Sequence, residues 1–209
     1  MISAAAAAHA EAPADGELIV DRTWFDRPAT EVAPDLLGAT LIHDAPEGRV
    51  AGRIVEVEAY QGPEDRAAHS WRGRTPRNAV MFGEPGHLYV YLIYGLHHCA
   101  NIVCGPGDKP EAVLLRAAAI TQGAALARQR RGAVDEARLA AGPGNLGAAF
   151  GIDRSLNGAD LIARPIRIAR SAPVTRIART PRVGVAYAGA WAARPLRYLV
   201  PDDPHRSGR

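Results

Sequence analysis

Hydrophobic and polar positions alternate with a period of two along residues 50–60, the pattern of a strand with one buried face. Ile54, Glu56, Glu58 and Tyr60 would point one way, Val55, Val57 and Ala59 the other. The second set is core material, so the first places two carboxylates and a ring on the opposite face. Upstream, residues 28–37 have helical character and stop at Gly38, a plausible C′ residue, before a strand over 39–43. Downstream, residues 88–93 and 97–103 flank Tyr94-Gly95 and predict a β-hairpin with Tyr94 near its tip. Residues 105–110 read as a turn and 112–118 as an apolar strand interrupted by Arg116. Residues 121–131 read as a helix with Arg128, Arg130 and Arg131 at its C-terminal end, where cations suit the dipole. A short helix fits 135–140, and another follows Gly142-Pro143-Gly144-Asn145. Residues 161–200 alternate like β-structure. Between the two strand regions, residues 62–85 are long, polar and rich in Arg, a length tolerated mainly for functional loops.

Composition narrows the class. A chain of 209 residues, 47% hydrophobic and 22% charged, fits one globular core, with no internal repeat and no linker between two cores. The expected domain is 18–203, preceded by a disordered Ala-rich tail (1–17) and followed by a flexible tail (204–209). The alanine run lacks a basic n-region and is interrupted by His9 and Glu11, so a signal peptide is not expected. No apolar run approaches the roughly 20 residues of a bilayer span. Cys99 and Cys104 have no partner pair with metal-site spacing and read as reduced thiols of a cytoplasmic protein.

The charge pattern points to an anion. Of 25 basic residues only Lys109 is lysine, and Arg makes planar, bidentate contacts with phosphate and stacks on rings. The net charge of +3 is too small to establish a polyanion partner by itself. Residues 161–200 carry eight Arg and no Asp or Glu, a local field that would attract an anion.

Four of the six tyrosines fall between Glu58 and Asn101, with four His and the Arg-bearing loop of Arg72, Arg74 and Arg77. Glu58, with Tyr60 on its face and the Pro63-Glu64-Asp65 turn nearby, is a candidate general base. Tyr60, Tyr91 and His69 could sandwich a base taken out of the stack, and an exposed Tyr94 could wedge between base pairs. Asn101 offers the donor and acceptor that discriminate purines. His87, His97, His98 and Cys99 match no zinc signature, and neighbouring strand positions 97 and 98 point to opposite faces.

These residues carry a resemblance. The chain resembles the alkylated-purine (3-methyladenine) DNA glycosylases, the family of the vertebrate methylpurine glycosylase and its bacterial relatives. The resemblance runs from about Asp35 to Val200. Its strongest blocks are Gly52-Arg-Ile-Val-Glu-Val-Glu58-Ala-Tyr60, Ala67-Ala-His69-Ser, Arg77-Asn78, Tyr89-Val-Tyr91 and Tyr94-Gly95-Leu-His97-His-Cys99-Ala-Asn101, then Leu114-Leu-Arg116-Ala, Gly142-Pro143-Gly144 and Arg182-Val-Gly-Val185.

The resemblance implies an α+β fold, a single compact domain around a curved antiparallel β-sheet with a protruding β-hairpin and flanking helices. It implies a monofunctional enzyme, monomeric, without metal or cofactor, acting on double-stranded DNA that contains damaged purines, in the cytoplasm at the nucleoid. By carry-over Glu58 activates water, Tyr60 stacks on one face of the flipped base, and His69 and Tyr91 stack on the other. Tyr94 fills the gap in the duplex, Asn101 crowds the 2-amino group of guanine, and Arg116 holds a phosphate near the flipped nucleotide. Arg72, Arg74 and Arg77 are expected on the phosphates. Asn145 stands where the family usually has a basic residue, so one phosphate contact is expected to be weakened. Two rivals stay open: a non-catalytic damaged-DNA-binding protein, and a metal-dependent hydrolase using His69, His97, His98 and Glu58.

Overall fold

The computed structural model describes residues 16–105 and 109–208. The expected tail at 1–17 lies almost entirely outside them, as does the middle of the expected turn at 105–110. Eight strands form one antiparallel sheet: β1 (Thr40–Ala45), β2 (Gly48–Tyr60), β3 (Leu88–Ile93), β4 (His97–Cys104), β5 (Glu111–Gln122), β6 (Ile166–Ala169), β7 (Ala178–Thr180) and β8 (Arg197–Leu199). Their order is β3-β4-β5-β2-β1-β6, with β8 pairing β2 and carrying β7 at its far edge. Helices α1 (Ala29–Leu36), α2 (Ala124–Arg131) and α3 (Pro143–Phe150) contact β2, β4 and β5. The expected α+β architecture is the observed one.

One face of the sheet is the main core. Val32, Ala33 and Leu36 of α1 and Leu146 and Phe150 of α3 pack with Leu41, Val57, Leu88, Ala100, Ile102, Val113 and Leu115 of the strands. Helix α3 approaches β4 so closely that a Cβ on Gly147 would lie 2.2 Å from the His98 carbonyl oxygen, so only glycine fits there. Helix α1 ends as anticipated, with Gly38 at φ 86°.

The long strand β2 departs from simple alternation. Its pairing with β5 slips between Ile54 and Glu56 and again between Glu56 and Val57. Ile54 therefore joins Val57 and Ala59 in the main core, while Val55 packs with Ala117 and Ala119 in a separate cluster. The expectation that Ile54 and Glu56 share a face is thus corrected. The physical reason is the edge: β1 pairs residues 48–53 of β2, and β8 pairs residues 56–58. The slip between Ile54 and Glu56 falls where one partner gives way to the other, and a bulge bends the strand there. Beyond it, alternation resumes, and Glu58 and Tyr60 stand on the face away from the helices.

The carboxyl-terminal region is less sheet-like than its pattern suggests. Within 161–200 only β6, β7 and β8 form, with a 3-10 segment over Ala186–Ala193. Within the expected tail at 204–209, Ser207 is buried, and its N–H donates to Glu56 of β2 at 2.6 Å. The helix expected over 121–131 begins only at Ala124, after β5 runs on to Gln122 and Gly123 turns at φ 76°. Among the described residues no helix is long and apolar enough to cross a membrane.

Candidate active site

Register across the sheet assembles the site. Tyr89 pairs Asn101, Asn101 pairs Leu114, Leu114 pairs Glu58, and Glu58 pairs Arg197. Directly opposed residues share a face, so this row runs across β3, β4, β5, β2 and β8 on the side away from the main core. Above the row lies a cavity of about 530 Å³. Tyr60, His69, Tyr91, Tyr94, Asn101 and Arg116 all line it, as does Arg77.

Glu58 is buried behind the cavity wall. Tyr60 Oη donates to its Oε2 at 2.9 Å, and the Val183 backbone N–H donates to its Oε1 at 2.8 Å. Arg116 Nη1 lies 3.2 Å from the same Oε1. Tyr60, Val183 and Arg116 line the cavity, so the carboxylate is held immediately behind its wall. Glu56 is engaged differently. It accepts from Arg116 Nε at 2.7 Å, from Ser207 N at 2.6 Å and from Ser207 Oγ at 2.7 Å, and Arg197 Nε lies 2.9 Å away. Glu56 thus accepts three hydrogen bonds and lies against two guanidinium groups, whereas Glu58 accepts two and lies against one.

The aromatic residues divide as a slot requires. The His69 and Tyr91 rings pack edge to face, centroids 4.5 Å apart, and Tyr89 tilts against Tyr91 at 5.6 Å. Among the described residues Tyr60 makes no ring contact with either. Its ring is instead backed by the Arg182 guanidinium, Cζ 4.6 Å from the centroid. Burial first and the Glu58 charge second push the Tyr60 hydroxyl's pKa well up, which keeps it a donor. The His69 ring opens to the cavity, and its Nδ1 lies 3.0 Å from Tyr89 Oη. Desolvation by the cavity walls, then the Arg77 charge, lower its pKa to about 4, so the ring is neutral at pH 7. Asn101 Nδ2 donates to the Tyr89 carbonyl at 3.2 Å, which fixes the plane of the amide.

Tyr94 sits where the hairpin pattern put it. Leu96 N–H closes the turn onto the Ile93 carbonyl, and both central residues, Tyr94 (φ 53°) and Gly95 (φ 67°), are left-handed. A bulky ring is rarely placed there. Tyr94 is 85% exposed and Leu96 78%, an apolar tip held in water.

The cations separate sharply. Arg72 and Arg74 are exposed, and Trp71 lies between the guanidinium groups of Arg66 and Arg72 at 5.7 and 5.2 Å. Arg77 lies 5.5 Å over the Tyr91 ring at the cavity. Arg116, expected on a phosphate, is buried between Glu56 and Glu58, and its charge is spent on them. Burial opposes that charge, but the two carboxylates outweigh it and raise the Arg116 pKa. Asn145 Nδ2 donates to the Ala141 carbonyl at 2.7 Å, closing the turn before α3 instead of facing outward.

The acid-free field read in residues 161–200 is partly cancelled. Arg164 and Arg167 close on Asp44 at 3.2 and 2.7 Å, Arg176 on Asp202 at 3.9 Å, and Arg182 on Asp65 at 2.9 Å. His97 is exposed, and among the described residues no three His, Cys, Asp or Glu side chains are grouped to hold a metal. Val183, Ser207 and the pairing of Asp65 with Arg182 were not expected in the site. The Pro63-Glu64-Asp65 turn carried the signal for Asp65, and the Arg182-Val-Gly-Val185 block that for Arg182 and Val183.

An aromatic cavity in front of a buried carboxylate, beside an exposed tyrosine-tipped hairpin, is the class of site this fold builds. The comparisons with known proteins sharpen that class. The family profile described as methylpurine-DNA glycosylase (MPG) matches residues 23–204. A protein of Streptomyces avermitilis named "Putative 3-methyladenine DNA glycosylase" is 47% identical over 189 residues, covering 88% of each chain. Proteins of the same name from Methanocella arvoryzae and Corynebacterium glutamicum are each 47% identical, over 193 and 186 residues. These cover 91% and 88% of this chain and 96% and 95% of the relatives. The chain belongs to the methylpurine-DNA glycosylase family.

Proposed function

We propose that this DNA glycosylase flips an alkylated purine out of duplex DNA into the aromatic cavity and hydrolyses its N-glycosidic bond, leaving an abasic site. The observation that carries the reading is the Glu58 carboxylate, held by Tyr60 Oη and the Val183 N–H immediately behind the wall of that cavity. Glu58 takes a proton from water, the water oxygen bonds to the sugar carbon, and the base departs with the electron pair of the broken bond. The same negative charge opposes the positive charge that develops on the sugar. A purine alkylated at N3 or N7 is cationic, leaves as a neutral base and needs no strong acid. Electron-rich tyrosine faces favour such a ring by cation–π attraction.

Tyr60 stacks on one face of the base, with His69 and Tyr91 on the other. Asn101 crowds the guanine 2-amino group, Tyr94 fills the vacated position, and Arg72, Arg74 and Arg77 meet the phosphates. Arg116 orients Glu58 rather than contacting DNA.

The test is Glu58→Gln in single-turnover excision on duplex carrying 3-methyladenine or 1,N6-ethenoadenine, with alkali to reveal abasic sites. Binding with loss of base release is expected. Substantial excision by the variant removes Glu58 from its role. Binding without excision by the wild type restores the non-catalytic alternative.

A further inference from the structure

We infer that Ser207, near the carboxyl end of the chain, is a positioning residue that keeps Arg116 turned toward Glu58. The inference rests on the role proposed for Glu58. Ser207 lies 151 residues from Glu56 in sequence and is buried beside it. Its backbone N–H occupies Glu56 Oε2 at 2.6 Å. Its hydroxyl donates to Glu56 Oε1 at 2.7 Å and accepts from Arg116 Nη2 at 3.1 Å, using both capacities of one oxygen.

The consequence is geometric. An Arg and a carboxylate left to themselves favour a fork, two parallel N–H···O bonds. With Oε2 of Glu56 taken by Ser207, Arg116 holds Glu56 through Nε alone, at 2.7 Å. Nη2 is taken by the Ser207 oxygen, and Nη1 remains for Glu58 Oε1 at 3.2 Å. Ser207 thus prevents a closed Arg116–Glu56 pair that would strip Glu58 of its counter-charge.

Other charged or titratable groups surround Glu58: Tyr60 and Glu56 on its own strand, Arg197 opposite it on β8, Cys99 on β4, Tyr91 on β3, and Arg182 on the segment before Ala186–Ala193. Of these, Arg182 is committed to Asp65 and Arg197 to Glu56. Arg116 is therefore the cation available to Glu58, and its orientation sets whether that counter-charge reaches the carboxylate.

The test is the pH profile of single-turnover excision for the 209-residue chain, for Ser207→Ala, for Ser207→Thr and for a chain ending at His205. Removing Ser207 should move the acid limb to higher pH and slow excision there on the order of tenfold, less for Ser207→Ala, which keeps the N–H. Ser207→Thr keeps both groups and should return the wild-type profile. A merely structural Ser207 would lower thermal stability and leave the limb in place; an unmoved limb in folded Ser207→Ala and truncated protein overturns the inference. Titration of a 13C-labelled Glu58 carboxyl reads the same link without catalysis, so failure of the enzymatic reading, seen as excision by Glu58→Gln, stays separate from failure of this one.

Discussion

Arg182 and Asp65 meet as two forks, Nη1 to Oδ2 at 2.5 Å and Nη2 to Oδ1 at 2.9 Å, with both side chains fully buried. Nη1 also donates to the Ala59 carbonyl at 2.9 Å, and the guanidinium backs the Tyr60 ring. Asp65 in turn accepts from the Gln61 and Ala67 N–H groups, so one ion pair fastens two loops to the strand that carries Glu58.

Removing one partner of such a pair leaves a buried, uncompensated charge. Asp65→Asn should therefore cost about 3–5 kcal/mol of folding stability in denaturant melts. Asp202→Asn, which breaks the exposed 3.9 Å contact with Arg176, should change stability by less than about 0.5 kcal/mol. Equal effects of the two changes would mean that the buried pair carries no special role.

Tyr94 tests the wedge. Asparagine tolerates the left-handed backbone better than tyrosine, and the exposed ring buries little apolar area, so Tyr94→Asn should keep or raise thermal stability. Binding to lesion duplex should weaken by roughly 1–3 kcal/mol, the scale of one base–aromatic stack. Unaltered affinity with a large loss of stability would place the ring in packing instead.

The His69 imidazole gives a pH prediction with a definite sign. Its pKa in the folded protein is about 4 against an ordinary 6.5. Between those values only the unfolded chain takes up the proton. The contribution of His69 to stability is therefore level above about 6.5 and falls as pH drops through the window toward 4. NMR titration should show no protonation of His69 between pH 8 and 6, and Arg77→Ala should raise its pKa by removing the second cause. A wild-type midpoint near 6.5 would contradict the desolvated setting.

Salt dependence separates the two groups of arginines. Log affinity for duplex should fall linearly with log salt, and Arg72→Ala and Arg74→Ala should each reduce the slope by about 1. Arg164→Ala should leave the slope unchanged, because Arg164 closes on Asp44 at 3.2 Å and does not line the cavity. The opposite ordering would move the DNA surface to the carboxyl-terminal strands.

The sequence by itself determined what depends on neighbours along the chain. The period-two pattern placed Glu58 and Tyr60 off the core, and the Tyr94-Gly95 turn put a ring at a hairpin tip, because pleat and turn geometry are local. Tertiary structure decided which charges remain for a ligand. The acid-free arginine field is thinned because Asp65 and Asp44 reach Arg182 and Arg167 across 117 and 123 positions. It decided the bulge in β2, since β1 and β8 share one edge of that strand, a constraint no window of the sequence contains. And it separated Glu56 from Glu58, two residues with the same strand signature, by bringing Ser207 to one and the Val183 N–H to the other. A buried carboxylate is defined by its donors, and donors that arrive from the far end of the chain leave no periodicity to read.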